Sequence, residues 1–140
     1  PIGRLDKDSE GLMILTNDGR ITERVLNPVE GHEREYEVIV DKHVTPHFIK
    51  HLESGVDIEG YMTKPAKAVA SKAHGSMFNI TLTEGKKHQV RRMCAAFGYQ
   101  IRQLKRTRML NFELKSLKSG AIYELKPKEV QFFQNTLGLH

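Results

Sequence analysis

The 140-residue sequence has no tryptophan and a single cysteine, Cys94. One thiol excludes an intrachain disulfide and fits a reducing compartment. No apolar run approaches the ~20 residues needed to cross a bilayer, and no signal-like leader opens the chain. A soluble, cytoplasmic protein without membrane contact is therefore expected. Internal repeats and low-complexity tracts are also missing. Acidic residues are in deficit, with 17 Asp and Glu against 22 Lys and Arg, and the formal charge of +5 suggests a polyanionic partner. Against these absences, 39% hydrophobic and 28% charged residues are ordinary globular material. The length suits one domain with a real core. The first residue is Pro1 rather than Met, inside a motif-like stretch, so the chain is expected to be a fragment cut at its N-terminal side.

The chain reads as strands in runs with a few helices between them. Leu12-Met13-Ile14-Leu15 is a short apolar run that predicts a strand buried on both faces, with Asp6 held at its lip. Ile21, Val25 and Leu26 predict a two-turn helix ended by Asn27-Pro28. Glu35 to Asp41 is the clearest strand, with Tyr36, Val38 and Val40 on one face. Thr45 and Pro46 open a helix that buries Phe48, Ile49 and Leu52 and stops at Gly55. Short strands are expected over 56–62 and 67–72, and a firmer one over 77–83. A helix from Lys87 carries Val90, Met93, Cys94 and Phe97 at i, i+3, i+4 and i+7. Strands follow over 99–105, 107–115 and 122–125, with a loop at Arg106, and Pro127 starts a terminal helix. The pattern predicts an α+β domain around a largely antiparallel mixed sheet with a few flanking helices.

Several residues invite a chemical reading beside a plain one. Taken alone, Asp6 reads first as a turn carboxylate satisfied by backbone amides, and second as an acid aimed at a cleft. Lys7 and Arg4 interleave with Asp6, Asp8 and Glu10, and no His or Cys lies near, so a metal site is not expected there. His43, His47 and His51 recur at intervals of four, but Pro46 interrupts any shared helix, leaving a solvated face. Cys94 is a small core residue. On a helical wheel Arg91 borders the apolar stripe and Arg92 falls on the opposite side. A cation at a core boundary wants a carboxylate partner, whereas Arg92 suits solvent or an RNA phosphate. Tyr36 is a core aromatic or a ring on which a base stacks. Arg102, Lys105, Arg106 and Arg108 place four cations in seven residues, a candidate phosphate-tracking surface.

Three segments together resemble a known family. Gly3-Arg4-Leu5-Asp6-Lys7-Asp8-Ser9-Glu10-Gly11-Leu12, followed by Leu15-Thr16-Asn17-Asp18-Gly19, is similar to the catalytic-aspartate motif of the RNA pseudouridine synthases. Glu84-Gly85-Lys86-Lys87-His88-Gln89-Val90-Arg91-Arg92-Met93 resembles the second signature of the branch holding the ribosomal small-subunit synthase A and large-subunit synthases B, E and F. Leu104 to Asn111 most resembles the F type. The resemblance implies a catalytic domain over 1–140, truncated at its N-terminus and without the S4-type RNA-binding domain usual in that branch. It implies isomerisation of a uridine, in 23S ribosomal RNA, with no cofactor or metal, by a monomer. Asp6 would be the catalytic carboxylate, Arg91 its ion-pair partner and Tyr36 the stacking ring. Leu104 would wall the base pocket and Arg4 would organise the loop or the flipped nucleotide. Lys87, His88, Arg92, Lys105, Arg106 and Arg108 would contact RNA. Whether Asp6 attacks the ribose C1′, attacks uracil C6 or removes a ribose proton stays open. Asn27-Pro28 departs from the His-Pro common in the family. The other reading is a non-catalytic RNA-binding or ribosome-associated module, which accounts for the basic run but gives Asp6 and Arg91 no role.

Overall fold

The computed structural model describes residues 1–139. Its strands are β1 (Glu10–Gly11), β2 (Arg34–Val40), β3 (Asp57–Ile58), β4 (Tyr61–Met62), β5 (Lys67–Ala70), β6 (Met77–Leu82), β7 (Ile101–Met109) and β8 (Phe112–Glu113). Its helices are α1 (Gly19–Leu26), α2 (Pro46–Ser54), α3 (Gln89–Ala95) and α4 (Pro127–Thr136). The main sheet runs β1-β7-β2-β6-β5, with β8 on β7, and β3 pairs β4 in a separate hairpin. Among the described residues only the β1–β7 pairing is parallel. The expected α+β class with a largely antiparallel sheet is what the chain adopts.

Alternation on β2 decides where the core sits. Val38 and Val40 are buried and line up with Phe78 on β6 and Leu104 and Ile101 on β7. Helix α2 covers this face. Thr45 caps it by accepting the Phe48 amide, and Pro46 occupies its first turn. Phe48 then meets the Phe78 edge at 5.5 Å and stacks on Tyr99 at 4.0 Å. Val90, Met93 and Cys94 close the same core from α3. A second, smaller cluster joins Ile2, Ile21, Val25, Met109, Phe133 and Leu137, so α1 and α4 pack at the β8 end.

Four expectations need correction. Residues 12–15 are extended but are not a strand, and Leu15 is 67% exposed. They lie beyond an edge strand, where only one side meets a core, so Leu12 and Ile14 pack inward and Leu15 does not. The loop expected at Arg106 does not exist, since β7 passes straight through it. Residues 122–125 form no strand, and Ile122 is 86% exposed. Helix α3 starts at Gln89 and ends at Ala95, leaving Phe97 beyond its C-terminus.

Candidate active site

Asp6 lies on a tight turn in which the Ser9 amide donates to the Asp6 carbonyl at 2.9 Å. The chain leaves this turn through β1, and Gly11 lets it press against β7. A Cβ at Gly11 would stand 2.2 Å from the Arg106 carbonyl oxygen, and φ there is +115°. Only glycine tolerates both conditions. The Leu12 amide donates to the same carbonyl at 2.8 Å. The loop carrying Asp6 is therefore pinned to the middle of β7 at its C-terminal end.

Helix α3 pins the other side. Arg91 Nη2 donates to the Asp8 carbonyl at 3.0 Å and lies 3.5 Å from Ser9 Oγ. The expected ion pair between Arg91 and Asp6 is not formed. Among the described residues the basic partner of the Asp6 carboxylate is His88, with Nε2 3.4 Å from Oδ1. Arg91 grips the backbone of the turn, and His88, just ahead of the first residue of α3, takes the carboxylate. His88 has φ +52° and makes no side-chain cap. A left-handed non-glycine residue costs on the order of 1 kcal/mol or more, and here it leaves the imidazole facing Asp6 instead of the helix end. Both groups are partly open to water, at 48% and 33% side-chain exposure.

The inner sheet face supplies the floor. Tyr36 stands between Ile80 and Arg106 in register, one step from the row Phe78, Val38 and Leu104. Leu104 is buried, and Tyr36 packs half-buried against the main core. Arg106 is the surprise. At 2% exposure it is among the largest fully buried side chains, with Nε donating to the Leu12 carbonyl at 2.9 Å. Burial pushes its pKa down, and the neighbouring Tyr36 partly offsets this. Arg106 thus ties Tyr36 to the segment that follows the Asp6 turn, and it has no surface to offer a phosphate.

The other predicted contacts divide. Arg108 is held by Glu33 at 3.1 Å and Glu35 at 3.3 Å, and donates to the Leu110 carbonyl. Lys105 lies opposite Glu10 and Glu37 on the outer face. The basic run of β7 is therefore not a continuous phosphate track. Arg92 does not point to solvent either, since Nη2 donates to the Ile58 carbonyl at 3.2 Å and faces Glu59 at 3.5 Å. Arg4, Lys7, Lys87 and Arg102 are exposed. Arg91 also borders a groove of about 530 Å³ lined by Asp41, Tyr99, Gln100 and Ile101. No cluster of three metal-ligating side chains occurs among the described residues, and His47 bonds His51 directly. Sequence reasoning missed Ser9, and also Glu84, a buried carboxylate bonded to Tyr61 and Gln89. A Glu and a Gln five residues apart, flanking a strand-to-helix turn between the apolar Leu82 and Val90, was the available signal.

Comparison with known proteins bears on this geometry directly. The family model for RNA pseudouridylate synthase matches residues 1–96, which include the Asp6 turn, β2 and α3. The chain belongs to this family. It is 44% identical over 130 residues to the dual-specificity RNA pseudouridine synthase RluF of Escherichia coli K12, covering 93% of the chain and 44% of that protein. It is 36% identical to the ribosomal large subunit pseudouridine synthase B of Bacillus subtilis, covering 94% of the chain and 55% of that protein. A crystal structure of a pseudouridylate synthase superposes with a TM-score of 0.86 at 32% identity, over 94% of the chain and 58% of that one. The chain thus spans about half the length of the curated relatives it matches. In this synthase fold the Asp6 turn, α3 and the inner face of β2 and β7 converge on one side of the sheet.

Proposed function

We propose that residues 1–140 form the catalytic domain of a pseudouridine synthase that acts on 23S ribosomal RNA in the cytoplasm, as a monomer, with Asp6 as the reacting carboxylate. The observation that carries this reading is the clamped turn. Asp6 is held from the sheet side through Gly11 and Arg106 and from the helix side by Arg91, while His88 faces its carboxylate. A reacting group needs that kind of fixed placement, because a misplacement of ~1 Å costs on the order of 10²-fold in rate.

The reaction breaks the N1–C1′ bond of uridine, turns the base and joins C5 to C1′; C5 loses a proton and N1 gains one. Atoms and electrons balance without a redox or group-transfer partner, so a carboxylate, a pocket and a means of holding the extruded base are sufficient. Tyr36 and Leu104 would receive the base on the inner sheet face, and Arg4, Lys87 and His88 would meet the RNA around it. The basic charge and the printed names of the relatives support RNA as the substrate, and the B-type relative's name supports the large ribosomal subunit.

The test is incubation with 23S ribosomal RNA followed by mapping of pseudouridine. Asp6→Asn should abolish product while RNA affinity stays near wild type, because an amide cannot replace a carboxylate that acts chemically. Activity of Asp6→Asn within about tenfold of wild type, ~1.4 kcal/mol of barrier, removes Asp6 from the mechanism. Tight binding without pseudouridine from the wild-type chain supports the non-catalytic RNA-binding module instead.

A further inference from the structure

Glu84 sits on the segment that joins β6 to α3 and is 6% exposed. Its two oxygens hold three donors. Oε1 accepts the Tyr61 hydroxyl, and Oε2 accepts the Lys64 amide at 2.7 Å and Gln89 Nε2 at 3.1 Å. Burial raises the pKa of Glu84, but these hydrogen bonds outweigh it and leave the group below its ordinary value. Gln89 is also buried, and its Oε1 accepts the Lys86 amide at 3.0 Å. Gln89 is the first residue of α3. The residue before it, His88, faces Asp6, and Arg91, two residues after it, grips Asp8. Arg92 ties the same helix to Ile58 and Glu59. The β3–β4 hairpin therefore holds the start of α3 at two points, one of them through a buried carboxylate.

We propose that Glu84 is a positioning residue for the isomerisation: through Gln89 it fixes the first turn of α3, and so the reach of His88 and Arg91 to the Asp6 turn. The proposal rests on the function proposed above. The hydrogen bonds of Glu84 among the described residues go to Tyr61, Lys64 and Gln89 and to none of Asp6, Tyr36 or Leu104, so its effect is on geometry rather than on the reacting atoms. A buried carboxylate with both oxygens engaged, by a hairpin and its following segment on one side and a helix start on the other, transmits any loss directly to both.

Hydrogen-bond chemistry separates this role from simple stability. In Glu84→Gln the amide oxygen can take the place of Oε2 and accept both nitrogens, while the new NH₂ donates to the Tyr61 hydroxyl, which accepts as readily as it donates. Every hydrogen bond is kept and only the charge is removed. Glu84→Ala removes all three bonds, and Tyr61→Phe removes one.

The experiment measures, for each variant, single-turnover pseudouridine formation at saturating RNA, RNA affinity, and the NMR chemical shifts of the His88 ring in the free protein at one fixed pH. Glu84→Ala should slow the chemical step by about tenfold or more with affinity changed by less than about threefold. The His88 ring resonances should move toward those of Asp6→Asn, since in both the imidazole lacks its carboxylate neighbour. Glu84→Gln should restore the rate and the His88 resonances to near wild type, and Tyr61→Phe should fall between. A wild-type rate in Glu84→Ala, or a slow Glu84→Ala whose His88 ring resonances are unmoved, overturns the proposal. If Glu84→Ala does not fold by circular dichroism, Tyr61→Phe and Gln89→Leu decide by the same criteria. If the wild-type chain makes no pseudouridine, the function reading fails by itself, and the His88 ring resonances still settle whether Glu84 governs the approach of His88 to Asp6.

Discussion

Arg91 and Arg106 show how far chemically identical side chains diverge once placed. Arg91 stands at a core boundary, as its helical phase predicts, yet it spends its guanidinium on the Asp8 carbonyl rather than on a carboxylate. Arg106 belongs to a run that reads as surface charge and is instead desolvated beneath Leu12. A buried guanidinium is tolerated only when its donors are used. We expect Arg106→Met to keep most of the packing but leave the Leu12 carbonyl unpaired, at a cost of about 1–3 kcal/mol. Urea unfolding should show that loss, and the slope of RNA affinity against salt should stay at the wild-type value. A reduced slope would mean that Arg106 reaches phosphate after all.

At the scale of elements, one of the shortest strands has the largest consequence. β1 contributes two residues, but it is where the Asp6 turn is fastened to β7. Gly11→Ala would drive a methyl group into the Arg106 backbone at a φ that alanine resists. The expected outcome is loss of the β1–β7 pairing with the remaining sheet intact: hydrogen exchange should rise at the Leu12 amide and stay protected on β2 and β6, and turnover should fall with it. α2 behaves as its sequence indicates, because Thr45, Pro46 and the Phe48, Ile49 and Leu52 spacing are all local signals. The bulge opposite Glu35 and Tyr36 has no such signal. It sets Tyr36 against Arg106 and Glu35 against Arg108, so two arginines two residues apart face opposite sides of the sheet. Period-two reasoning places them on the same side, and fails for that reason.

For the whole molecule, charge matters through what remains unpaired. Arg108, Arg92 and Arg20 are engaged by carboxylates, so RNA should be met by Arg4, Lys7 and Lys87 around the Asp6 turn. Alanine at these three should lower the slope of log affinity against log salt by about 0.7 for each phosphate no longer neutralised on single-stranded RNA. Alanine at Lys105 and Arg108 should leave the slope nearly unchanged, and equal slopes for both sets would refute this division. Stability should depend on acid in a definite direction. Glu33 is held below its ordinary 4.5, first by Lys67 and then by Arg108, and Asp41 is held below 3.8 by the Gln100 amide. The unfolded chain takes up protons at these sites before the folded one does. Their stabilisation is complete above about pH 4.5 and is lost as pH falls through the lower folded values. Thermal melts between pH 7 and 3 should decline below that point, and Glu33→Gln should flatten the decline.

Local chemistry settled a good part of this protein in advance. The cap and proline of α2, the alternation of β2, the apolar stripe of α3 and the motif around Asp6 are short-range patterns, each legible within about ten residues. They sufficed for the α+β class and for the family. The partners of the site were beyond that range. Asp6 meets His88, Arg91 meets Asp8, and Arg106 meets Leu12 across separations of 82, 83 and 94 residues. Which cation reaches which oxygen depends on where α3 begins and on a bulge in β7, and both are set by the joint packing of sheet, hairpin and helix. A side chain's type fixes what it can bond; only the assembled sheet decides what stands within about 3 Å of it.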